Sequence, residues 1–194
     1  MPESYIEKIE TNQFKILKKV WKKQIFSKGL LITWVIITGV IALLRCVSYF
    51  KYANYIHIQW IPFSSFIFPG VTGLSFSITM LNATRNLFDT EELMAMFTYV
   101  DDENKDATEE GDIFYRTLAP YITASILWLL ISLIAFISSL INIDMPVIIK
   151  ELLYIIFIGI VVAGFLNLWY LISVHLKDIS IKVGVELDKK GNNQ

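Results

Sequence analysis

A single cysteine, Cys46, rules out an intrachain disulfide, and no CxxC pair or Cys/His cluster is present to hold zinc. No metal and no cofactor is therefore expected. Charge is scarce as well. Charged residues make up 18% of the 194-residue chain, against about 25% in ordinary soluble domains. The formal net charge of −1 excludes a generally basic nucleic-acid binder, so no direct nucleic-acid contact is expected. No HExxH, GxSxG, Walker or GxGxxG pattern occurs, which leaves the chain reading as a non-enzyme. Internal repeats and low-complexity tracts are missing too. Lysines 8, 15, 18, 19, 22, 23 and 28 precede the first apolar run and no small-residue cleavage pattern follows it, so no cleavable signal peptide is expected.

What is present in excess is hydrophobic residue, 55% of the chain, gathered in four long runs near 29–50, 59–82, 117–142 and 147–174. About 20 helical residues cross roughly 30 Å of hydrocarbon. A backbone inside lipid must satisfy its own hydrogen bonds, so each run reads as a helix. The implied fold class is an all-α integral membrane protein, a four-transmembrane-helix antiparallel bundle. Its parts are a basic amphipathic helix (1–28), a first transmembrane hairpin (29–82), an acidic loop with a short helix (83–116), a second hairpin (117–174) and a tail (175–194). The cationic residues before span one, Arg85, Lys105 and Arg116 in the middle loop, and Lys177, Lys182, Lys189 and Lys190 in the tail share one side. By the positive-inside rule that side is cytoplasmic, which implies a multi-pass inner-membrane protein with both termini in the cytoplasm. His57 and His175 then lie at opposite faces and cannot share a site.

The stretch 14–26, FKILKKVWKKQIF, separates Phe14, Leu17, Val20, Trp21 and Ile25 from Lys15, Lys18, Lys19, Lys22 and Lys23 on a helical wheel. It anchors the topology, or lies in the inner leaflet with those lysines on anionic lipid. The loop 83–116 carries ten acidic residues against three basic ones. Asp89 and Glu92 have capping-box spacing. Leu93, Met96, Phe97 and Val100 then recur at helical steps, and with Met94 they form either a face that packs under the bundle or a docking surface. The run after them, DDENKDATEEGD, reads as a solvated connection. From Ile179 to Leu187 apolar and polar residues alternate strictly, which predicts a strand with Ile181, Val183 and Val185 on its apolar face. Such a strand needs a partner: the loop, another protomer, or a second protein.

Within the spans, Tyr121, Ser125, Trp128, Ser132, Ala135, Ser139 and Asn142 make a seam. Gly159, Ala163 and Asn167 are spaced by four, as are Ser65, Pro69, Gly73 and Ser77. Small and polar stripes of this kind bring helices close, within one chain or between subunits of a homo-oligomer. Pro69-Gly70 should kink or interrupt span two. That span is also the most polar, and its hydroxyls from several copies are candidates to line a water path, although no acid or lysine sits at mid-membrane to select an ion. Arg45 lies about 24 Å along span one at 1.5 Å per residue. It either snorkels to the headgroups or joins Asp144, Lys150 and Glu151 in an outward-facing polar cluster.

Size, the basic KILKKVWKKQIF lead-in, the acidic 83–116 loop and the SIKVGVELDKK tail together resemble the membrane subunit of the Kiwa anti-phage defence system. The resemblance covers the whole chain at the level of architecture. It implies a homotetramer working with a soluble cytoplasmic partner that binds DNA and suppresses phage replication, with loop and tail as the docking surface. The expected function is thus a non-enzymatic membrane sensor or scaffold that recruits an effector. The alternatives are a small ion channel lined by span two and a toxin-immunity protein acting inside the bilayer.

Overall fold

The structure is a computed structural model that describes residues 9–24, 28–49, 60–100, 109–141 and 145–191; the side chains at 21–24, 49, 186 and 188–191 lie outside that description. Asp144, His57, Asn142, Ile25, the 101–108 run and the side chains of Trp21, Lys22 and Lys23 therefore fall outside it as well. The described residues form helices α1 (Gln13–Gln24), α2 (Lys28–Tyr49), α3 (Ile67–Leu87), α4 (Thr90–Thr98), α5 (Asp112–Leu140) and α6 (Val147–Gly191), with a 3-10 turn over Phe63–Phe66. Strands are absent among the described residues. The protein is an all-α bundle in which four helical stretches, Lys28–Ser48, Phe63–Leu87, Asp112–Leu140 and Val147–Val185, are long and apolar enough to cross a membrane.

Two expectations are corrected. The alternating segment 179–187 is helix, the last part of the 45-residue α6. An isolated strand leaves its backbone groups unpaired, whereas extending an existing helix adds one internal hydrogen bond per residue and needs no new nucleus. The propensity cost of Ile and Val in a helix is at most about 0.7 kcal/mol each. Helical geometry then scatters the alternating apolar residues round the rod, and Ile179, Ile181, Val183, Val185 and Leu187 are all exposed. Nor is span two interrupted at Pro69-Gly70. The 3-10 turn leads into α3, so Pro69 falls in the first turn, where its missing N–H has no intrahelical partner to lose.

The chain divides into two compact units. The first holds Phe26–Phe76 and Ala124–Asn167. Trp128, Ile131, Ala135, Phe157 and Val161 form its core. A Cβ at Gly73 would overlap the Trp128 ring, and one at Gly164 would stand 3.2 Å from both Trp128 and Ile131. Backbone approach at small residues replaces the hydrophobic drive that helices lack inside lipid. α2 meets the rest through Trp34, whose Nε1 donates to the Gly159 carbonyl at 2.7 Å. Thr38 beside Gly159 and the Arg45–Glu151 pair add further contacts, while Leu31, Ile32, Val35 and Ile36 are exposed and suited to lipid.

The second unit holds Met1–Ile25, Ser77–Thr123 and Leu168–Gln194. Ile16, Val20, Phe97, Tyr115, Ala119, Tyr121 and Leu171 make its core. α1 starts where the Asn12 Oδ1 accepts from the Phe14 and Lys15 N–H groups, at 3.0 and 3.3 Å. Gly111 turns the chain into α5 with φ of 83°, and its N–H donates to the Phe97 carbonyl at 2.7 Å. A side chain there would be strained by the left-handed backbone and crowded by Tyr115 and Phe97.

Candidate functional site

The second unit gathers the charged segments. α4 begins with the expected capping box: Asp89 and Glu92 are joined reciprocally, the Asp89 N–H donating to Glu92 Oε2 at 2.8 Å. Along its apolar stripe, Phe97 is buried edge-on against Phe114 and Tyr115, with ring centroids 5.9 and 6.1 Å apart. Leu93 and Met96 are half-buried. Met94 (62% exposed), Tyr99 and Val100 stay open. The stripe thus packs against its own chain at Phe97, while Met94 and Val100 on either side of it are exposed.

Lys182, on the helical tail, is the fastener that periodicity did not reveal. Its ammonium donates to the Leu87 carbonyl at the end of α3 and to Glu92 Oε2 at 3.2 Å, with Asp89 Oδ2 4.0 Å away. One cation therefore serves an α3 C-terminal carbonyl, a contact that the α3 macrodipole favours, and the acids that open α4, to which it is drawn by their charge. Lysine count was visible in the sequence; the register that aims this lysine depends on the tail being helical.

α1 is held the same way. Lys19 lies 3.4 Å from Glu109 Oε2, donates to the Glu110 carbonyl at 3.2 Å and sits 5.2 Å from the Tyr115 ring centroid. The Glu10 N–H donates to the Tyr115 hydroxyl at 2.7 Å, and Lys15 pairs with Glu10 at 3.2 Å. The Asn12 backbone N–H keeps the Glu10 carboxyl below the usual carboxylate range. Ile16 and Val20 are buried in the unit, while Phe14 and Lys18 face outward. Burial of Val20 differs from the expected division of α1, which set that residue in the lipid interface with Phe14.

A buried polar chain runs beside these contacts. The Thr84 hydroxyl donates to the Tyr121 hydroxyl at 2.7 Å and lies 3.2 Å from His175 Nδ1. Asp178, one turn from His175, has a buried Oδ2 without a hydrogen-bond partner among the described residues. His175 and Asp178 at i and i+3 were the available sign that they share a face. Among the described residues no group of three or more His, Cys, Asp and Glu is placed to hold a metal ion.

In the first unit Arg45 and Glu151 come together. Arg45 Nε donates to Glu151 Oε2 at 2.8 Å and its Nη2 donates to Oε1, a bidentate pair; Trp60 Nε1 adds a bond to Oε2 at 2.7 Å. The guanidinium lies 5.3 Å from the Trp60 ring centroid. Trp60 stacks on Tyr154 at 5.1 Å, and Phe63 continues the aromatic run to Phe157. Trp60 was not singled out in the sequence, although an indole beside an apolar run has the one-wet, one-dry character of an interface anchor. Lys150 is exposed beside this pair.

Of the small and polar residues expected at subunit contacts, Gly73, Ser77, Gly159 and Asn167 are covered by the chain's own helices. Ser125, Ser132 and Ala163 are half-buried, and Ser139 is exposed. The indole N–H of Trp128, Asn167 Oδ1 and Thr38 Oγ1 are buried without partners among the described residues. A different stripe faces outward: Ser65, Phe68, Thr72, Ser75, Thr79, Asn82 and Asn86 recur at alternating three- and four-residue steps, and all are exposed. No family model, curated protein or solved structure matches the chain.

Proposed function

We propose that the protein is a non-enzymatic scaffold of the bacterial inner membrane that associates with copies of itself and holds a soluble cytoplasmic effector. The observation that carries this reading is the overshoot of α6. Its 45 residues extend about 68 Å at 1.5 Å per residue, roughly twice the hydrocarbon thickness. The part beyond a single crossing exposes Ile179, Ile181, Val183, Val185 and Leu187, and the charged unit also exposes Met94, Tyr99 and Val100. Apolar side chains interspersed with charges outside the bilayer favour protein contact. Lysine bias assigns this end to the cytoplasm. The exposed Ser/Thr/Asn stripe of α3 supports self-association, because small and polar side chains let a second helix approach closely in lipid. Anti-phage defence is the setting that the resemblance to the Kiwa membrane subunit implies, with α4 and the tail as the place where the effector docks and the outer Arg45–Glu151 cluster as a place to sense the envelope.

The same α3 stripe favours a second reading, an ion channel in which several copies turn Thr72, Ser75 and Thr79 toward a shared water path. Two experiments separate them. Tagged protein is purified from cells with its neighbouring soluble gene product; Val183→Asp with Ile181→Asp should release the partner while membrane insertion and oligomer size persist. Retention of the partner by that variant would refute docking at the tail. Purified protein alone in liposomes should give no ion flux; flux that Thr79→Leu abolishes would favour the channel.

A further inference from the structure

The first unit contains a cleft of about 550 Å3, within the roughly 300–1,000 Å3 typical of small-molecule sites. Its walls are Ile134, Phe157 and Ile160 at one end, and Ser64, Lys150 and Tyr154 at the other. Lys150 and Ile160 are ten residues apart on α6, so the cleft is about 15 Å deep along the helix axis, half of a roughly 30 Å hydrocarbon layer. Its polarity is graded: aliphatic and aromatic carbon inside, one ammonium and two hydroxyls at the mouth. Lys150 and Tyr154, four residues apart, project from the same face of α6.

The ammonium at the mouth is not bonded to a carboxylate among the described residues, although Glu151 lies within range of its field. Glu151, the neighbouring carboxylate, is taken up by Arg45 and Trp60. Lys150 is exposed and forms no ion pair among the described residues, and the Ser64 and Tyr154 hydroxyls have no hydrogen-bond partner among them either. We infer that this cleft binds one anionic phospholipid from the leaflet at the Lys150 end, its acyl chain against Phe157 and Ile160 and its phosphate on Lys150, Ser64 and Tyr154. Depth and charge together select this occupant. A helix from a second copy would cross the full hydrocarbon layer, whereas the lining of the cleft on α6 runs only from Lys150 to Ile160. A zwitterionic lipid fits the apolar part but leaves the lysine without a net countercharge. The site is independent of the cytoplasmic docking surface and stands whichever side of the membrane it faces.

The test uses the full chain in mild detergent and native mass spectrometry, with phosphatidylglycerol and phosphatidylcholine of identical acyl chains. Wild type should retain phosphatidylglycerol about five-fold better, the preference one lysine confers on an anionic headgroup. Lys150→Gln, a change at an exposed position, should erase that preference with an unaltered melting temperature. Ser138→Trp, which fills the apolar part of the cleft, should lower retention of both lipids. An unchanged preference in Lys150→Gln overturns the proposal. So does efficient cross-linking between two copies through Ile137→Cys in a Cys46→Ser background, which would place a second chain in the cleft.

Discussion

The two units of this chain are held together by different means. In the first, contacts are made by rings and backbone: Trp128 on Gly73 and Gly164, Trp34 on the Gly159 carbonyl, Trp60 on Tyr154, with the Arg45–Glu151 ion pair sealed by an indole. In the second, long polar side chains join segments remote in sequence: Lys182 to Leu87 and Glu92, Lys19 to Glu109, the Glu10 N–H to Tyr115. The contrast reflects the solvent. Where helices face lipid, there is little hydrophobic gain in bringing them together, and close shape matching must do it. Where segments carry enough charge to meet water, ion pairs and caps fasten them, each weaker and each open to screening.

Crowding the first unit tests this contrast most severely. Gly73→Leu drives a side chain into the Trp128 ring, and overpacking of this kind should cost about 3 kcal/mol or prevent folding, measured by SDS-titrated unfolding and membrane yield. An unaffected protein would mean that α3 and α5 do not approach as described. Next in size is Arg45→Ala, which strands the Glu151 carboxylate at a site only 23% exposed. The expected loss is about 2 kcal/mol, largely recovered by adding Glu151→Gln; a double-mutant cycle on unfolding reads the coupling. In the second unit Lys182→Met should cost about 1 kcal/mol. Its signature is local, with faster hydrogen exchange over α4 and 179–187 and none over 124–140. Raising salt from 0.15 to about 1 M, where the Debye length falls to about 3 Å, should reproduce that pattern in wild type. Equal exchange in both units would erase the difference between them.

The smallest effect concerns pH. Glu10 is held in its ionised form by the Asn12 N–H and Lys15, so its folded pKa lies below the unfolded value. Its contribution is present above the unfolded pKa and fades as pH falls through the folded one. Carboxyl-carbon NMR should give a Glu10 midpoint below that of a peptide spanning 8–14, and Asn12→Pro, which removes the donating backbone N–H, should narrow the gap.

Much of this architecture is readable without coordinates, for identifiable reasons. Runs of twenty apolar residues have one stable form in lipid, so all four spans were evident, although the fourth helix runs on to Gly191, well past the expected end of its span at 174. The Asp89/Glu92 box is a local signal and was legible as such. Arg45 and Glu151 were each recognisable as candidates because charge near a membrane interface needs a partner. Lys182 and Tyr115 were not, since their partners lie 90 or more residues away in sequence and nothing local encodes that pairing. The alternation at 179–187 misled because period two describes a strand only when a second strand is available.

By itself the sequence determined that the backbone would be helical and where apolar length suffices to cross a bilayer, since both depend on hydrogen bonding and hydrophobicity along short stretches. Tertiary structure decided which glycines touch rings, which lysines fasten helix ends, and that the tail continues as helix. Those outcomes depend on which groups from distant segments arrive side by side, and on the backbone partners that a lone segment lacks.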